Sequence, residues 1–560
     1  MQNGQSSIYE LFNADRIFKI PNYQRTYTWQ EENLKDFLDD LVNQRGNKSY
    51  FLGTFLFHNQ NRRGDYEILD IVDGQQRLTT IIIFAKVLIE RLLELSSDKV
   101  SNKTYRRFVK DSDGVYKLEL DNEDNNFLNT YILENNKADT FETPAQKNLI
   151  QAKQYLKKEI ENISKTSLEK IFDLISNATI INYVVQDFSD ATLIFELLND
   201  RGRRLTNLES VKSFLMYKVG SLDIKNHEQP LKVIQDCIAA IYRNVEKYNL
   251  NENDVLRYHT IAFEKTNSEN FNNPSKFIKN QINQLFIDNV EDVKIKETIV
   301  SYITRLKESF DIFIKLRNNE VGISSLDDFH MIGKVGPYYP FLMIIYKNDK
   351  DRLEEFCKIL TAFTFRASFI RLQNRDEKLY EHIRNDDDFF IVFSNILHHN
   401  WWNINNRTQE TLDYDNYYEW VKKNMVKFIL FKYENHLRKE EGHPLLTIHN
   451  YFSQDARTKY NIEHISARKS QLEFDEDFNE SYLHSIGNLV LDTVSSNSKK
   501  GRKGIDKKIE SYKAAPLMSQ NKINNEELDW QNTDSIQDFI IQREKELKTF
   551  IKQRLLHIND

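Results

Sequence analysis

A chain of 560 residues is too long for one hydrophobic core and calls for two to four domains. Hydrophobic residues at 40% and aromatics at 12% exclude a disordered chain, and only 15 glycines and 8 prolines point to a helix-rich architecture. A net charge of −7 excludes a protein that coats nucleic acid along its whole length, because counterion release needs clustered Lys and Arg, yet it leaves room for a local basic patch.

The N-terminus carries no charged-then-apolar leader. The most apolar stretch, 78–95, is interrupted by Lys86, Glu90 and Arg91, which excludes a membrane span there. A soluble, cytoplasmic protein with no membrane partner is expected. Cys237 and Cys357 sit far apart in apolar helical contexts, as buried thiols of a reducing compartment do, and cannot build a zinc site between them.

In chain order, IPNYQRTYTWQEENLKDFLDDLV opens extended, because Pro21 disfavours helix at Ile20. Thr28 and Glu31 have capping-box spacing, and Leu34, Phe37, Leu38, Leu41 and Val42 recur at helical intervals. YFLGTFLFH and YEILDIV read as a hairpin joined by the polar loop NQNRRGD, with a helix from about Gln75 to Leu95 after it. Segment 98–145 reads as polar and loop-rich. ATIINYVVQD predicts a strand and DATLIFELLND a helix; the turn NDRGRR then leads to a second capping box, Thr206 with Glu209. From about 221 to 440 the pattern is helical and heavily charged, with no internal repeat. Near the C-terminus KYNIEHIS and IGNLVLDT read as two short strands, followed by the basic, then helical NSKKGRKGIDKKIESY. Between Lys499 and Lys513 seven Lys or Arg face only Asp506 and Glu510, the strongest positive patch in the chain. The expected fold class is α+β and predominantly helical, with domains at 1–220, 221–409 and 410–560.

Two constellations carry chemistry. The first is Asp73-Gly74-Gln75-Gln76-Arg77, where a strand meets a helix. One reading is structural: Asp73 caps the helix, Gln76 closes a capping box and Gly74 eases the turn. The other is an anion site, because a helix N-terminus offers unpaired N–H groups and a positive dipole end, and Arg77 adds a planar fork for phosphate oxygens. A cap alone needs neither Gln75 nor Arg77. Tyr23-Gln24-Arg25 and the pair Asn199 and Gly202 form two further polar junctions, although Gly202 alone would suit a helix C-terminal cap. Together the three point to a pocket for a phosphate-bearing ligand. The common nucleotide signatures G-x-x-x-x-G-K-[ST] and G-x-G-x-x-G are absent from the chain.

IPNYQRTYTW, FLGTFLF, DIVDGQQRLTT and FELLNDRGRRLTNLESVK, in this order, resemble the N-terminal domain of the GmrSD-type restriction family over roughly residues 8–220. The resemblance implies a ParB/sulfiredoxin-like fold and nucleotide binding and hydrolysis. Asp73, Gly74, Gln75, Gln76 and Arg77 would lie at the nucleotide, with Asn199 and Gly202 lining the same pocket. In relatives that sense phosphorothioate DNA, a Tyr-Gln pair takes part in sensing. Here that pair is Tyr23 and Gln24, next to Arg25.

The second constellation is Glu463-His464, Asn488 and Asn497. A lone His beside a strand is commonly a packed residue. Strand, strand and helix with His, Asn and Asn at these spacings form the pattern of a ββα-metal (His-Me finger, HNH) nuclease. Phosphodiester cleavage needs a base in the imidazole range, and a cation held by hard oxygens. His464 would be the base, Glu463 and Asn497 the metal ligands, and Asn488 the residue orienting the His-bearing loop. Lys499, Lys500, Arg502 and Lys503 would hold the DNA backbone. Adjacent strand residues face opposite sides, so Glu463 and His464 share a site only across a bulge or at a strand end. NIEHISARKS, LHSIGNLVLD and NSKKGRKGIDKK resemble the C-terminal nuclease domain of the same family over roughly 410–560. The family usually has Pro three residues after the His, where this chain has Ala467, and often Asn or a similar residue near the position of Arg502. His398-His399 beside Trp401-Trp402, and YDNYYEW, read as aromatic packing rather than metal or base-stacking sites.

The expectation is therefore a modification-dependent, type IV-like restriction endonuclease of anti-phage defence. It would take Mg²⁺ or another divalent cation, a nucleoside triphosphate (GTP, UTP or CTP) and double-stranded, modified phage DNA, with a homo-oligomer among the expected assemblies. The rivals are an NTP-hydrolysing DNA sensor with weak or no nicking, and a non-catalytic interaction protein.

Overall fold

The computed structural model describes residues 4–42, 50–138, 140–187, 190–191, 194–195, 205–373, 376–466, 481–501, 503, 505–524, 526 and 528–556. They form two compact units, Met1–Arg257 with Glu269–Asp311, and Tyr258–Ser268 with Ile312–Asp560. The architecture is α+β and mostly helical. Among the described residues no helix is long and apolar enough to cross a membrane.

The first unit is built on a six-stranded mixed sheet of β1 (Gly4–Ser7), β2 (Arg16–Ile20), β3 (Phe51–Arg63), β4 (Tyr66–Asp73), β5 (Leu118–Leu120) and β6 (Thr179–Val185), in the order β1-β6-β3-β4-β2-β5. β4 pairs antiparallel with β3 and parallel with β2. Its apolar run is continuous because both faces are covered. Leu69 and Ile71 enter the main core, while Val72 joins Leu56, Ala191 and Phe195 on the other side. The Gln75–Glu94 helix is buried nearly all round, from Leu78 to Leu92.

Three local expectations are corrected. The hairpin has no seven-residue loop: β3 runs on to Arg63 and turns through Gly64 and Asp65. Its polar residues stay in the strand because they find partners, Asn59 on Glu67, Gln60 on Asp70 and Arg63 on Glu119. Segment 98–145 carries short elements, among them the Asn102–Phe108 helix and β5. Thr28 caps no helix, because its N–H donates to Gln76 Oε1 at 2.8 Å and the helix starts later, at Glu31. The second expected box does form: Thr206 Oγ1 accepts from Glu209 N, and Glu209 Oε2 from Thr206 N.

In the second unit a hairpin of β7 (Tyr460–His464) and β8 (Leu489–Thr493) lies within a largely helical frame. Ile462, Leu489 and Leu491 share a core with the Lys423–Glu440 helix, while Ile465 and Val490 join Tyr512, Ile536 and Ile540. The Val494–Lys500 helix follows β8 at once.

Candidate functional site

In the first unit the polar junctions converge, but not in the way a cap would need. Gly74, not Asp73, holds the N-cap position of the Gln75–Glu94 helix, with φ 93° in the left-handed region. Gln76 closes no box. Its amide clasps the extended lead-in instead, accepting from Thr28 N and donating to Thr26 O, both at 2.8 Å. Gln24 reaches the same strand–helix junction from the other side, donating to Val72 O at 3.0 Å. Arg25 binds Glu252 Oε1 at 2.6 Å, Thr206 Oγ1 at 2.8 Å and Glu209 Oε1 at 3.2 Å. These carboxylates outweigh nothing of its burial penalty alone, yet together they leave the guanidinium above its ordinary range. Tyr23 is buried, and burial pushes its hydroxyl well up.

Arg77 is engaged inside the protein. Its two terminal nitrogens donate to Leu52 O and Thr54 O, each at 2.9 Å, and its plane lies 5.2 Å from the Phe55 ring. Only glycine fits beneath it, since a Cβ on Gly53 would stand 1.8 Å from Arg77 Nη1. Asp73 Oδ2 is 3.9 Å from Arg77, and burial raises its carboxyl against that opposing charge. For a triphosphate, the donors that fit are the first N–H groups of the Gln75–Glu94 helix together with the half-buried Gln75. Asn199 and Gly202 lie outside the described residues.

The residue missed by the sequence reading is Lys212. It is buried, its Nζ donates to Gln24 Oε1 at 3.0 Å and Tyr23 O at 3.3 Å, and burial lowers it to about 8. Its signal was a charge among the buried positions Leu208, Val211 and Leu215 of one helix.

In the second unit the β7–β8 register is unbroken from Tyr460↔Thr493 to His464↔Leu489 and continues as Ile465 N donates to Asn488 O. No bulge intervenes, so Glu463 and His464 diverge as alternation demands. Glu463 Oε1 meets Lys508 Nζ at 2.5 Å, and the same ammonium donates to His464 O at 2.7 Å. His464 Nε2 lies 3.2 Å from His484 Nδ1, beneath the ring of Tyr418 at 4.6 Å. Asn488 clasps the chain just beyond His464: its Oδ1 accepts from Ser466 N at 2.8 Å and its Nδ2 donates to Ser466 O and Leu483 O. Asn497 ties its helix to β7 by donating to Ile462 O at 3.1 Å.

The structure thus does not gather Glu463 and His464 around one ion. Burial raises the Glu463 carboxyl while Lys508 opposes it, and a metal would have to displace that ammonium. Glu463 does not fit a ligand role in this arrangement. Among the described residues no three His, Cys, Asp or Glu side chains cluster as a metal set. The basic patch also divides. Lys499 and Lys503 are exposed, but Lys500 is buried, with Asp492 Oδ2 and Gln520 Oε1 each 3.0 Å away and the Tyr512 ring at 4.3 Å, which removes it from any DNA-facing surface. Arg502 and Ala467 lie outside the described residues. Of YDNYYEW, Tyr417 is core as expected, while Tyr418 covers His464.

Residues 8–216 match the family model of the GmrSD restriction endonuclease N-terminal domain, and residues 402–549 match that of the GmrSD restriction endonucleases' C-terminal domain. The two together span well over half of the chain. No curated protein matches the chain.

Proposed function

The chain belongs to the GmrSD restriction endonuclease family, and on that premise we propose that it is a nucleotide-dependent enzyme that cuts modified phage DNA. DNA is the substrate that the family's endonuclease domains imply. The observation that carries the reading is the hairpin–helix order of β7, β8 and Val494–Lys500, with His464 on the first strand, Asn488 clasping the chain after it and Asn497 tying the helix back. This is the arrangement of an HNH-type finger with His464 as its base. A divalent cation, Mg²⁺ or another, supplies charge neutralisation at the phosphate when bound; Asn497 is the oxygen donor that suits it.

In the first unit, a ParB-like nucleotide domain is supported by the meeting of Gln24, Arg25 and Gln76 around the start of one helix. GTP, UTP or CTP would bind there, and Tyr23, Gln24 and Arg25 would couple that pocket to recognition of the DNA mark.

The second reading, an NTP-hydrolysing sensor with weak nicking, draws on the Lys508–Glu463 pair, which neutralises an expected metal ligand. One assay separates the two. Modified and unmodified phage DNA are incubated with Mg²⁺, with and without each NTP, for wild type, His464→Ala and Arg77→Ala. Cutting by wild type but not His464→Ala upholds the nuclease. Nucleotide hydrolysis without cutting makes the protein a sensor.

A further inference from the structure

We infer that His484 and Glu419 form a positioning pair that fixes the tautomer of His464, so that His464 Nδ1 is the nitrogen that takes a proton from the attacking water. This rests on the nuclease reading above and adds two residues to it.

The argument starts from one shared proton. His464 Nε2 and His484 Nδ1 stand 3.2 Å apart, so of two neutral rings one donates and the other accepts. Glu419 decides which. Its Oε1 lies 3.6 Å from His484 Nε2, too long for a hydrogen bond but close enough for its field to favour the proton on that nitrogen. His484 Nδ1 is then unprotonated and accepts, His464 Nε2 donates, and His464 Nδ1 keeps its lone pair. Geometry in which one ring nitrogen's partner sets the chemistry of the other is how imidazole bases are oriented.

Each member is held independently. Asn416 binds the Glu419 carboxylate through Nδ2 at 3.3 Å and accepts from Glu419 N at 3.1 Å. Tyr418 N donates to His484 O at 3.1 Å, and the Tyr418 ring stacks on His484 at 5.5 Å. The turn that carries His484 is pinned from behind: Ser485 Oγ donates to Glu544, and Arg543 Nη1 donates to Gly487 O and Leu489 O, each at 2.7 Å. A rigid backing of this kind is what a positioning group needs. In the reaction the water oxygen bonds to phosphorus and its proton moves to His464 Nδ1. The ester P–O bond breaks, and its electron pair leaves on the ester oxygen, which solvent reprotonates.

The test uses the full chain and four variants. His484→Phe keeps a ring against Tyr418 and removes both nitrogens; His484→Asn keeps an acceptor near the Nδ1 position; Glu419→Gln removes the charge; His464→Ala assigns the His464 signals. Selective ¹⁵N-histidine labelling of the metal-free protein reads the tautomer. The expected result is protonated Nε2 and unprotonated Nδ1 on His464 in wild type, lost in His484→Phe and weakened in Glu419→Gln. With Mg²⁺ and DNA, His484→Phe should lose about 10²-fold in kcat with KM nearly unchanged, and His484→Asn should regain most of it. A His464 protonated on Nδ1, or a tautomer unchanged in His484→Phe, overturns the pair whether or not the protein cuts. Wild-type protein that cuts nothing overturns the nuclease reading instead, and the tautomer shift then stands or falls by itself.

Discussion

Lys508 Nζ lies 2.5 Å from Glu463 Oε1, an ion pair with almost no exposed surface on either side chain. Removing one partner of a buried pair leaves an uncompensated charge and typically costs about 3–5 kcal/mol. Lys508→Met should therefore lower the melting temperature clearly. If a divalent cation can take the ammonium's place on Glu463, Mg²⁺ should restore part of the loss in Lys508→Met and do little for wild type. Equal responses to Mg²⁺ in both proteins would show that Glu463 holds no metal.

Arg77 and Gly53 depend on each other. An alanine at 53 must leave a left-handed φ of 95° or strain there, and its Cβ collides with Arg77 Nη1. Gly53→Ala should destabilise by about 2–4 kcal/mol through strain and two lost carbonyl bonds. It should cost less when added to Arg77→Ala than to wild type, because the collision is gone. Strictly additive losses in a denaturant series would refute the coupling.

Lys212 gives a pH signature. Burial lowers its folded-state value to about 8, against 10.5 when unfolded. Between those values the unfolded chain binds more protons, so this group makes stability rise from about pH 8 towards 10.5. Urea midpoints measured from pH 7.5 to 9.5 should climb less steeply in Lys212→Met than in wild type. Parallel curves would mean the lysine is charged in the fold throughout.

Asp70 works in the opposite window. Burial pushes its carboxyl up to about 7, with Lys19 opposing, and its Oδ1 is buried without a hydrogen-bond partner. The folded state holds this proton from about pH 4 to 7 while the unfolded chain releases it, so stability falls across that range as pH rises. Asp70→Asn cannot ionise and keeps the shape. It should be more stable than wild type at pH 7.5, by on the order of 2–3 kcal/mol, with the difference vanishing near pH 4. A variant that is less stable at both pH values would remove Asp70 from the account.

Local signals were legible in the sequence, and non-local ones were not. The Thr206–Glu209 box and the apolar runs of β3 and β4 are written within a few residues, and they form. Thr28 failed as a cap because Gln76, 48 positions further on, takes its N–H. Residues 59–63 read as loop because the carboxylates that let them stay in a strand, Glu67, Asp70 and Glu119, come from neighbouring strands. Alternation did reveal that Glu463 and His464 would diverge in a regular strand, and the unbroken register keeps them apart. Nothing nearby in the sequence marks Lys508 among seven basic residues, or Glu419 across 45 positions from His464, since only packing selects them.

The lead-in at 24–28 has one more consequence. It has no helix or strand of its own, and it hangs from three places: Val72 through Gln24, the helix opened by Thr206 through Arg25, and Glu246 through Thr26. Hydrogen bonds tolerate only a few tenths of an ångström of stretch. Any shift among those three anchors must be taken up in five residues, so this short segment works as a strain gauge for the unit, and a label on Thr28 would register a movement that the rigid sheet conceals.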